Sequence, residues 1–338
     1  MQSATLTQDN EEDMETELRK PIISILMAVY NPNPIWFKEQ LRSLNAQDYP
    51  NIRLYVRDDC SPDFTVEDIS SVIAECITAF PFTIKRNERN LGSNQTFERL
   101  TREAEGDCFA YCDQDDVWLP EKLTMLMDMM QKNGSLLVCS DARIIDGEGR
   151  KIADSITEIR KRHILHSGDD LAKGLLTHNF VIGCTTLVDA AAAKKSLPFC
   201  PDMIHDHYLA LYCAANGRID ALPTPTICYR QHGNNQTGLM AGVKDKKSYG
   251  HIRIDESIRK FEWLQANLSC DAALSAAMER DLLWLHARQR YWREKRGALT
   301  LWRYRDCGRQ ITLFELFAAH MGERLFLFFI QLYRKNII

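Results

Sequence analysis

The sequence predicts an α/β fold, a doubly wound mixed sheet, mainly parallel, followed by a helical C-terminal extension. Three observations carry this. Continuous apolar runs rich in β-branched residues, such as Ile22–Tyr30, read as strands buried on both faces. They alternate with helical periodicity over short connections, which implies parallel strands joined by helical crossovers. From Ile252 onward the apolar spacing is helical: Phe261, Leu264 and Leu268 recur at one-turn intervals.

In chain order, residues 1–20 hold six acids, two bases and few large apolar groups, the composition of a disordered tail. Asn31-Pro32-Asn33-Pro34 is a turn opening a helix over Ile35–Gln47. A second strand, Ile52–Val56, precedes a helix over Val66–Phe80, and a short third strand spans Phe82–Lys85. The turn Asn90-Leu91-Gly92-Ser93-Asn94 leads a third helix to about Glu105. The fourth strand, Cys108–Cys112, runs into Asp113-Gln114-Asp115-Asp116, and Pro120 then starts a helix over Glu121–Gln131. Leu136–Cys139 is the next strand. Ile144–Ser167 reads as a hairpin or lid-like insertion, and Asp169–Thr177 as a short helix. Val181–Val188 is expected to be antiparallel or at an edge, and His205–Asn216 an amphipathic helix ended by Gly217. Pro223 and Pro225 in Ile219–Tyr229 predict an edge strand. The Gly- and Lys-rich run Gly238–Tyr249 is expected to be mobile or ordered only with ligand.

Composition sets bounds. The 338 residues are 45% hydrophobic and 26% charged, ordinary for a globular chain of one large domain with an extension. Net charge is −4, but Arg288–Lys335 holds eleven bases and four acids, so an acidic body precedes a basic tail. There are eleven cysteines and no Cys-x-x-Cys pair, which argues against a zinc site of the usual spacing and for buried thiols in a reducing compartment. Residues 1–20 lack an apolar core and no run of about 20 apolar residues occurs, so neither a signal peptide nor a spanning helix is expected. The expected location is the cytoplasm.

Strand exits carry the chemistry. Asn31, the pair Asp58-Asp59, and Asp113 with Asp115 each follow a strand, and open α/β sheets bind ligands at the carboxyl ends of strands. Three carboxylates within four residues repel one another, and a divalent cation is the simplest compensation. Asp-x-Asp offers the oxygen ligands that Mn²⁺ or Mg²⁺ take and share with phosphates. A solvated acidic turn is the alternative.

Two further runs, His205-Asp206-His207-Tyr208-Leu209 and Tyr229-Arg230-Gln231-His232-Gly233-Asn234-Asn235, complete a pattern over residues 22–240. With Asp-Asp-x-Ser-x-Asp and Asp-Gln-Asp-Asp-x-Trp it resembles the family 2 glycosyltransferases of GT-A fold, above all their bacterial rhamnosyltransferase branch. The resemblance implies a nucleotide-sugar-dependent transfer domain over 21–240 and a helical extension over 241–338. It implies a base contact at Asp58-Asp59, Asp59 foremost, where an Asx-turn with Ser61 is the structural alternative. Asp113 then takes a ribose or metal role, Asp115 is the main metal ligand, and Asp116 supports from behind. Asp206 matches the catalytic base of an inverting transfer, or else caps its helix. His232 is a third metal ligand or a diphosphate contact. Arg230 holds diphosphate or pairs with the body's acids. Asn31, Asn90 and Gly92 lie near the sugar nucleotide.

The implied donor is dTDP-L-rhamnose, with a UDP-hexose as the alternative; the implied product is cell-surface polysaccharide built on a saccharide acceptor, lipid-linked. Aromatic and basic residues interleave in the tail: Tyr291, Trp292, Leu299, Leu301, Trp302 and Tyr304 with Arg293, Lys295, Arg296, Arg303 and Arg305. Such helices dock peripherally on an anionic inner-membrane surface, or pack on the body. Nothing in the body supports nucleic-acid binding. A non-catalytic scaffold and a phosphotransfer protein are the readings from other classes.

Overall fold

Strand β1 (Ile23–Val29) sits inside a parallel block with β2 (Ile52–Asp58), β3 (Phe82–Arg86) and β4 (Cys108–Cys112). Its apolar run is continuous because both faces are covered. Ile23, Ile25, Met27 and Val29 enter one core, and Leu26 enters the other. β4 divides the same way, Cys108, Ala110 and Cys112 against Phe109 and Tyr111. The computed structural model describes residues 20–160, 163–232 and 242–334.

On the first face lie α1 (Pro34–Asn45), α2 (Val66–Cys76) and, later in the chain, α4 (Lys122–Asn133), through Phe37, Leu41, Ile69, Ile73, Leu123 and Leu126. α3 (Ser93–Glu103) covers the second face with Phe97 and Leu100. The doubly wound expectation therefore holds. Beyond β4 the sheet becomes mixed: its order is β3-β2-β1-β4-β8-β6-β9-β5, with β7 on β6. The added strands are β5 (Val117–Trp118), β6 (Leu137–Ile145), β7 (Lys151–Ala153), β8 (Thr186–Asp189) and β9 (Ile219–Arg230). β8 is antiparallel to both β4 and β6, while β6 and β9 are parallel.

Several boundaries differ from the sequence expectation. α1 begins one residue early, on the Asn33 side chain, which accepts from Ile35 N and Trp36 N. α2 ends at Cys76, not Phe80, because Asn45 Oδ1 takes the N–H groups of Thr78 and Ala79 out of the helix. The acidic run does not pass straight into a helix: Val117–Trp118 first pairs with β9, and α4 starts at Lys122. β6 continues past Cys139 to Ile145, its buried Ser140 bonding Thr226 and Asp141 bonding Ile156 N. The expected hairpin in 144–167 forms as β6–β7, followed by α5 (Ile156–Ile159). β8 is antiparallel, as one option had it, but interior; Gly183–Thr185 ahead of it is a 3₁₀ turn. β5 lies outside β9 only at Ile227 and Cys228, so among the described residues the stretch with Pro223 and Pro225 has no strand paired on its outer side, as expected of an edge; it also falls at a register shift, Pro225 opposite Asp141. The short helix expected in 169–177 is α6 (Ala172–Leu175), and α7 (Ala190–Lys195), capped by Asp189, had no clear sequence signal.

α8 (His205–Asn216) has the expected bounds. The acidic tail up to residue 19 and the expected loop residues 233–241 lie outside the described residues. The following part of the Gly- and Lys-rich run is packed rather than loose: α9 (Lys246–Gly250) carries a capping box and buries Tyr249. The extension continues as α10 (Glu256–Asn267), α11 (Ala272–Glu294), α12 (Ala298–Arg303), α13 (Arg309–Ala318) and α14 (Glu323–Arg334). Leu264, Trp284, Tyr291, Trp292, Leu301 and Phe326 share one core with α3 and α8. Part of the aromatic tail thus packs on the body, whereas Leu299 is 86%, Phe317 67%, Phe328 54% and Trp302 41% exposed. Among the described residues no helix is long and apolar enough to cross a membrane. All eleven thiols are free.

Inside the extension Arg288 and Glu315 pair at 2.6 and 2.9 Å with 4% and 1% exposure, and Tyr249 Oη donates to the same carboxylate at 2.9 Å. Removing one partner of such a pair strands a buried charge. Arg288→Met is expected to cost about 3–5 kcal/mol in denaturant unfolding, and adding Glu315→Leu to recover part of that loss.

Candidate functional site

The carboxyl ends of β1, β2 and β4 lie side by side because the three strands are parallel neighbours. Their exits are cross-linked. Gln114 bonds the Tyr30 backbone twice, accepting from its N–H at 2.8 Å and donating to its carbonyl at 3.0 Å. Asn31, exposed and at φ 45°, donates from its backbone to Ser61 Oγ and from its side chain to Asp63, each at 2.7 Å.

Asp58 is fully buried. It accepts from Ser61 N at 3.1 Å and from the Ser61 hydroxyl, and pairs with Arg86 at 2.8 Å. This is the Asx-turn alternative, realised at Asp58. Asp59 is 4% exposed and holds the next loop: its Oδ1 takes Asn87 Nδ2 and Leu91 N, its Oδ2 takes Gly92 N, all at 2.8 Å. Asn90 Oδ1 takes the same Gly92 N–H at 3.1 Å. Gly92 caps α3 at φ 81°, a conformation that favours glycine. Asp59 Oδ2, with one donor, keeps acceptor capacity.

Asp113 and Asp115 are half-buried and Asp116 is fully buried. Burial, then the charges of Asp116, Asp115 and Asp206, push the Asp113 carboxyl well above its usual range. Burial, then Asp115, does the same to Asp116. One oxygen of Asp116 accepts from Arg230 N at 2.8 Å; the other has no N–H or O–H donor among the described residues and faces the Cys184 thiol. Asp115 Oδ2 meets His232 Nε2 at 2.9 Å, and the His232 ring lies on Trp36, centroids 4.8 Å apart.

Asp113, Asp116 and Cys184 put ligand atoms within 4.8 Å of one another. Burial and the two carboxylates push the Cys184 thiol far up, so it stays protonated, and a soft sulfur suits neither Mn²⁺ nor Mg²⁺. The surplus of crowded carboxylate oxygens fits a hard divalent cation. The set expected from sequence, Asp113, Asp115 and His232, is not brought together as such a group among the described residues; Asp115 and His232 meet each other instead.

Arg230 is 1% exposed. It donates to the carbonyls of Asp115 at 2.8 Å, Asp146 at 3.2 Å and Gly147 at 3.3 Å, and pairs with Glu39 at 2.5 Å. Its guanidinium thus ties the acidic loop to α1 and to the β6–β7 turn, the second of its two expected roles.

Asp206 lies in the first turn of α8. No side chain caps that helix, whose N-cap is Ile204. The carboxylate instead accepts from Gly183 N at 3.0 Å and Asn179 Nδ2 at 3.1 Å. Burial raises its pKa to about 6 against the opposing pull of those hydrogen bonds. Asn179 is itself locked, donating to Val181 O and accepting from Val181 N, each at 2.9 Å. His205 stacks on Phe97 at 4.1 Å between centroids and lies near Tyr111 at 5.5 Å; burial lowers its pKa to about 3, so it is neutral. Contacts therefore run from Asp59 through Gly92 and α3 to α8, and the Asp206 charge reaches Asp113. Asn179, the Gly183 N–H, Glu39 and Trp36 had no motif to announce them.

Residues 24–196 match the model of Glycosyl transferase family 2. The dTDP-rhamnosyl transferase RfbG of Shigella flexneri is 25% identical over 67% of this chain and 79% of its own. The Escherichia coli enzyme WfgD, a UDP-Glc:alpha-D-GlcNAc-diphosphoundecaprenol beta-1,3-glucosyltransferase, is 27% identical over 61% and 75%. In fold, the chain is similar to Staphylococcus aureus TarS 1–349 in complex with UDP-GlcNAc, with TM-score 0.58 and 14% identity over 93% of this chain and 92% of that one. It is also similar to the mannosyltransferase PcManGT of Pyrobaculum calidifontis in complex with GDP-Man and Mn²⁺, with TM-score 0.54 and 14% identity over 95% and 82%.

A cation bound by the native state raises stability by mass action. Millimolar Mn²⁺ with a nucleoside diphosphate is expected to raise the thermal unfolding midpoint of the protein, and Asp115→Ala to abolish at least most of that rise.

Proposed function

The chain belongs to Glycosyl transferase family 2, and from that premise we propose that it is an inverting, metal-dependent transferase of L-rhamnose from dTDP-L-rhamnose to a saccharide acceptor in cell-surface polysaccharide synthesis. The observation that carries the reading is Asp206: a carboxylate at pKa about 6, fixed by two donors, within electrostatic reach of the acidic loop. One positioned base and no separate nucleophile suit direct displacement at the anomeric carbon.

In the proposed mechanism Asp59 and the Asn90–Gly92 turn receive the nucleotide, with Asn31 at the neighbouring exit. Asp206 takes the proton of the acceptor hydroxyl as that oxygen attacks and the nucleoside diphosphate departs. Asp113, Asp115 and His232 would hold the cation, which offsets charge on the leaving diphosphate when bound. Asp116 and Arg230 hold those ligands in place from behind. The rhamnose assignment draws on the 25% identity to RfbG. A UDP-hexose donor is the second reading, favoured by the likeness to WfgD.

We further propose residues 21–240 as the transfer domain and 241–338 as an extension that docks on the cytoplasmic face of the inner membrane, where a lipid-linked acceptor would be met. Exposed Leu299, Trp302, Phe317 and Phe328 with Arg303, Arg305, Arg309 and Arg324 support this.

Donor choice is read by nucleoside diphosphate release from dTDP-L-rhamnose and UDP-glucose with Mn²⁺; no turnover of either would sink the proposed reading. A base must be ionised to act, so kcat/KM is expected to be full above pH 6 and to fall as pH drops through about 6. Asp206→Asn is expected to lower kcat by about 10²–10⁴-fold. Sedimentation with phosphatidylglycerol vesicles is expected to carry down the protein, and Phe317→Ser with Phe328→Ser to weaken that binding about fivefold or more.

A further inference from the structure

Lys122 has no part in the mechanism above, yet its place is unusual. It is 0% exposed, and among the described residues no carboxylate pairs with it directly. It opens α4, where a cation opposes the helix dipole. Burial lowers its pKa to about 8. A buried amine at a helix start is doubly unfavourable, and an apolar residue of similar length would fill the space at less cost.

What the amine touches gives the reason. It lies on the Trp118 indole, 3.2 Å from the ring centroid, and donates to the carbonyl of Cys184. Cys184 belongs to the 3₁₀ turn Gly183–Thr185, and the Gly183 N–H of that turn is the donor to Asp206 Oδ2 at 3.0 Å. Two adjacent residues thus present a carbonyl to Lys122 and an N–H to Asp206. The turn also lies against α8 closely: a Cβ on Gly183 would stand 2.8 Å from His205 Nε2 and 3.5 Å from the Asp206 Cβ. The negative field of Asp113 and Asp116 favours the ammonium there.

We propose that Lys122 is a positioning residue for Asp206: it anchors the Gly183–Cys184 backbone from the side opposite the carboxylate and so fixes the donor that aims the base. The proposal rests on the glycosyltransferase reading above and assigns to that reaction a residue outside its cleft. Small displacements of a reacting group cost large factors in rate while leaving donor binding intact.

The test is a double-mutant cycle on the full chain, with nucleoside diphosphate release from dTDP-L-rhamnose or UDP-glucose as the assay. Lys122→Met is expected to lower kcat about tenfold to a hundredfold with donor KM within about twofold. In the Asp206→Asn background the same substitution is expected to cost nothing further, because the group it aims is gone. Losses that multiply across the cycle, a rise in KM at unchanged kcat, or a Lys122→Met enzyme at wild-type rate would overturn the proposal. If Lys122→Met does not fold, Lys122→Leu, which likewise removes the donor to the Cys184 carbonyl, enters the same cycle with the same criteria: a loss seen with Asp206 present and absent in the Asp206→Asn background supports the proposal, and no loss or a multiplying loss overturns it. A wild-type chain that turns over neither donor removes the proposed donor reading, which separates that failure from this one.

Discussion

The constraint on which the rest depends is the crowding of carboxylates at one sheet edge. Burial, then Asp116, Asp115 and Asp206, raise the cost of ionising Asp113, and burial, then Asp115, that of Asp116. A fold tolerates this only if each oxygen is held by donors or balanced by positive charge. The molecule holds most of these oxygens with donors and leaves one Asp116 oxygen facing the Cys184 thiol. Arg230 gives its backbone N–H to Asp116 and its guanidinium to the Asp115 carbonyl, His232 meets Asp115, and Gly183 and Asn179 hold Asp206. The remaining negative surplus is what a divalent cation, itself shared with a diphosphate, would offset.

The sheet makes that crowding possible by changing direction at β4. The parallel block sends Asn31, Asp59 and Asp113 out at one edge. β8 then runs antiparallel beside β4, so the 3₁₀ turn ahead of it arrives at the same edge from the opposite direction. That turn receives Asp206. A purely parallel continuation would have placed the start of this strand at the far end of the sheet, away from the acids.

How far the sequence shows this depends on whether a residue's neighbours lie within its own run. The parallel strands were legible because continuous apolar runs such as Ile23–Val29 follow from two covered faces, and α8 because its apolar spacing is bounded by Gly217. The acids were legible as strand exits. The prolines of β9 marked a local edge legibly, whereas the two-residue pairing of β5 with Ile227 and Cys228 beyond them was not legible. Asn179, Glu39 and Lys122 were illegible for another reason. Each acts on a partner 27, 191 and 62 residues away, and no local pattern encodes such a contact. Arg230 was ambiguous from sequence because a guanidinium serves diphosphate and carboxylate equally; only its burial against Glu39 and three carbonyls separates the two in this structure.

The extension is mechanically part of the same edge. His207 and Tyr208 directly follow Asp206, and both are held by other elements, His207 by α6 and Tyr208 by the extension. The His207 ring donates from Nε2 to the Leu175 carbonyl, and Lys260 of α10 donates to the next carbonyl, Leu176, at 2.9 Å. Tyr208 packs edge-on against Trp263 of α10, centroids 5.4 Å apart. α10 in turn packs on α11, whose Arg288 is locked to Glu315 of α13. The start of α8 is therefore clamped on one side by the Gly183 turn and on the other by α6 and the extension helices. The helix that carries Asp206 is thus packed through fixed contacts onto the extension. An extension that served only to hold the protein at a surface would need no such grip on α8.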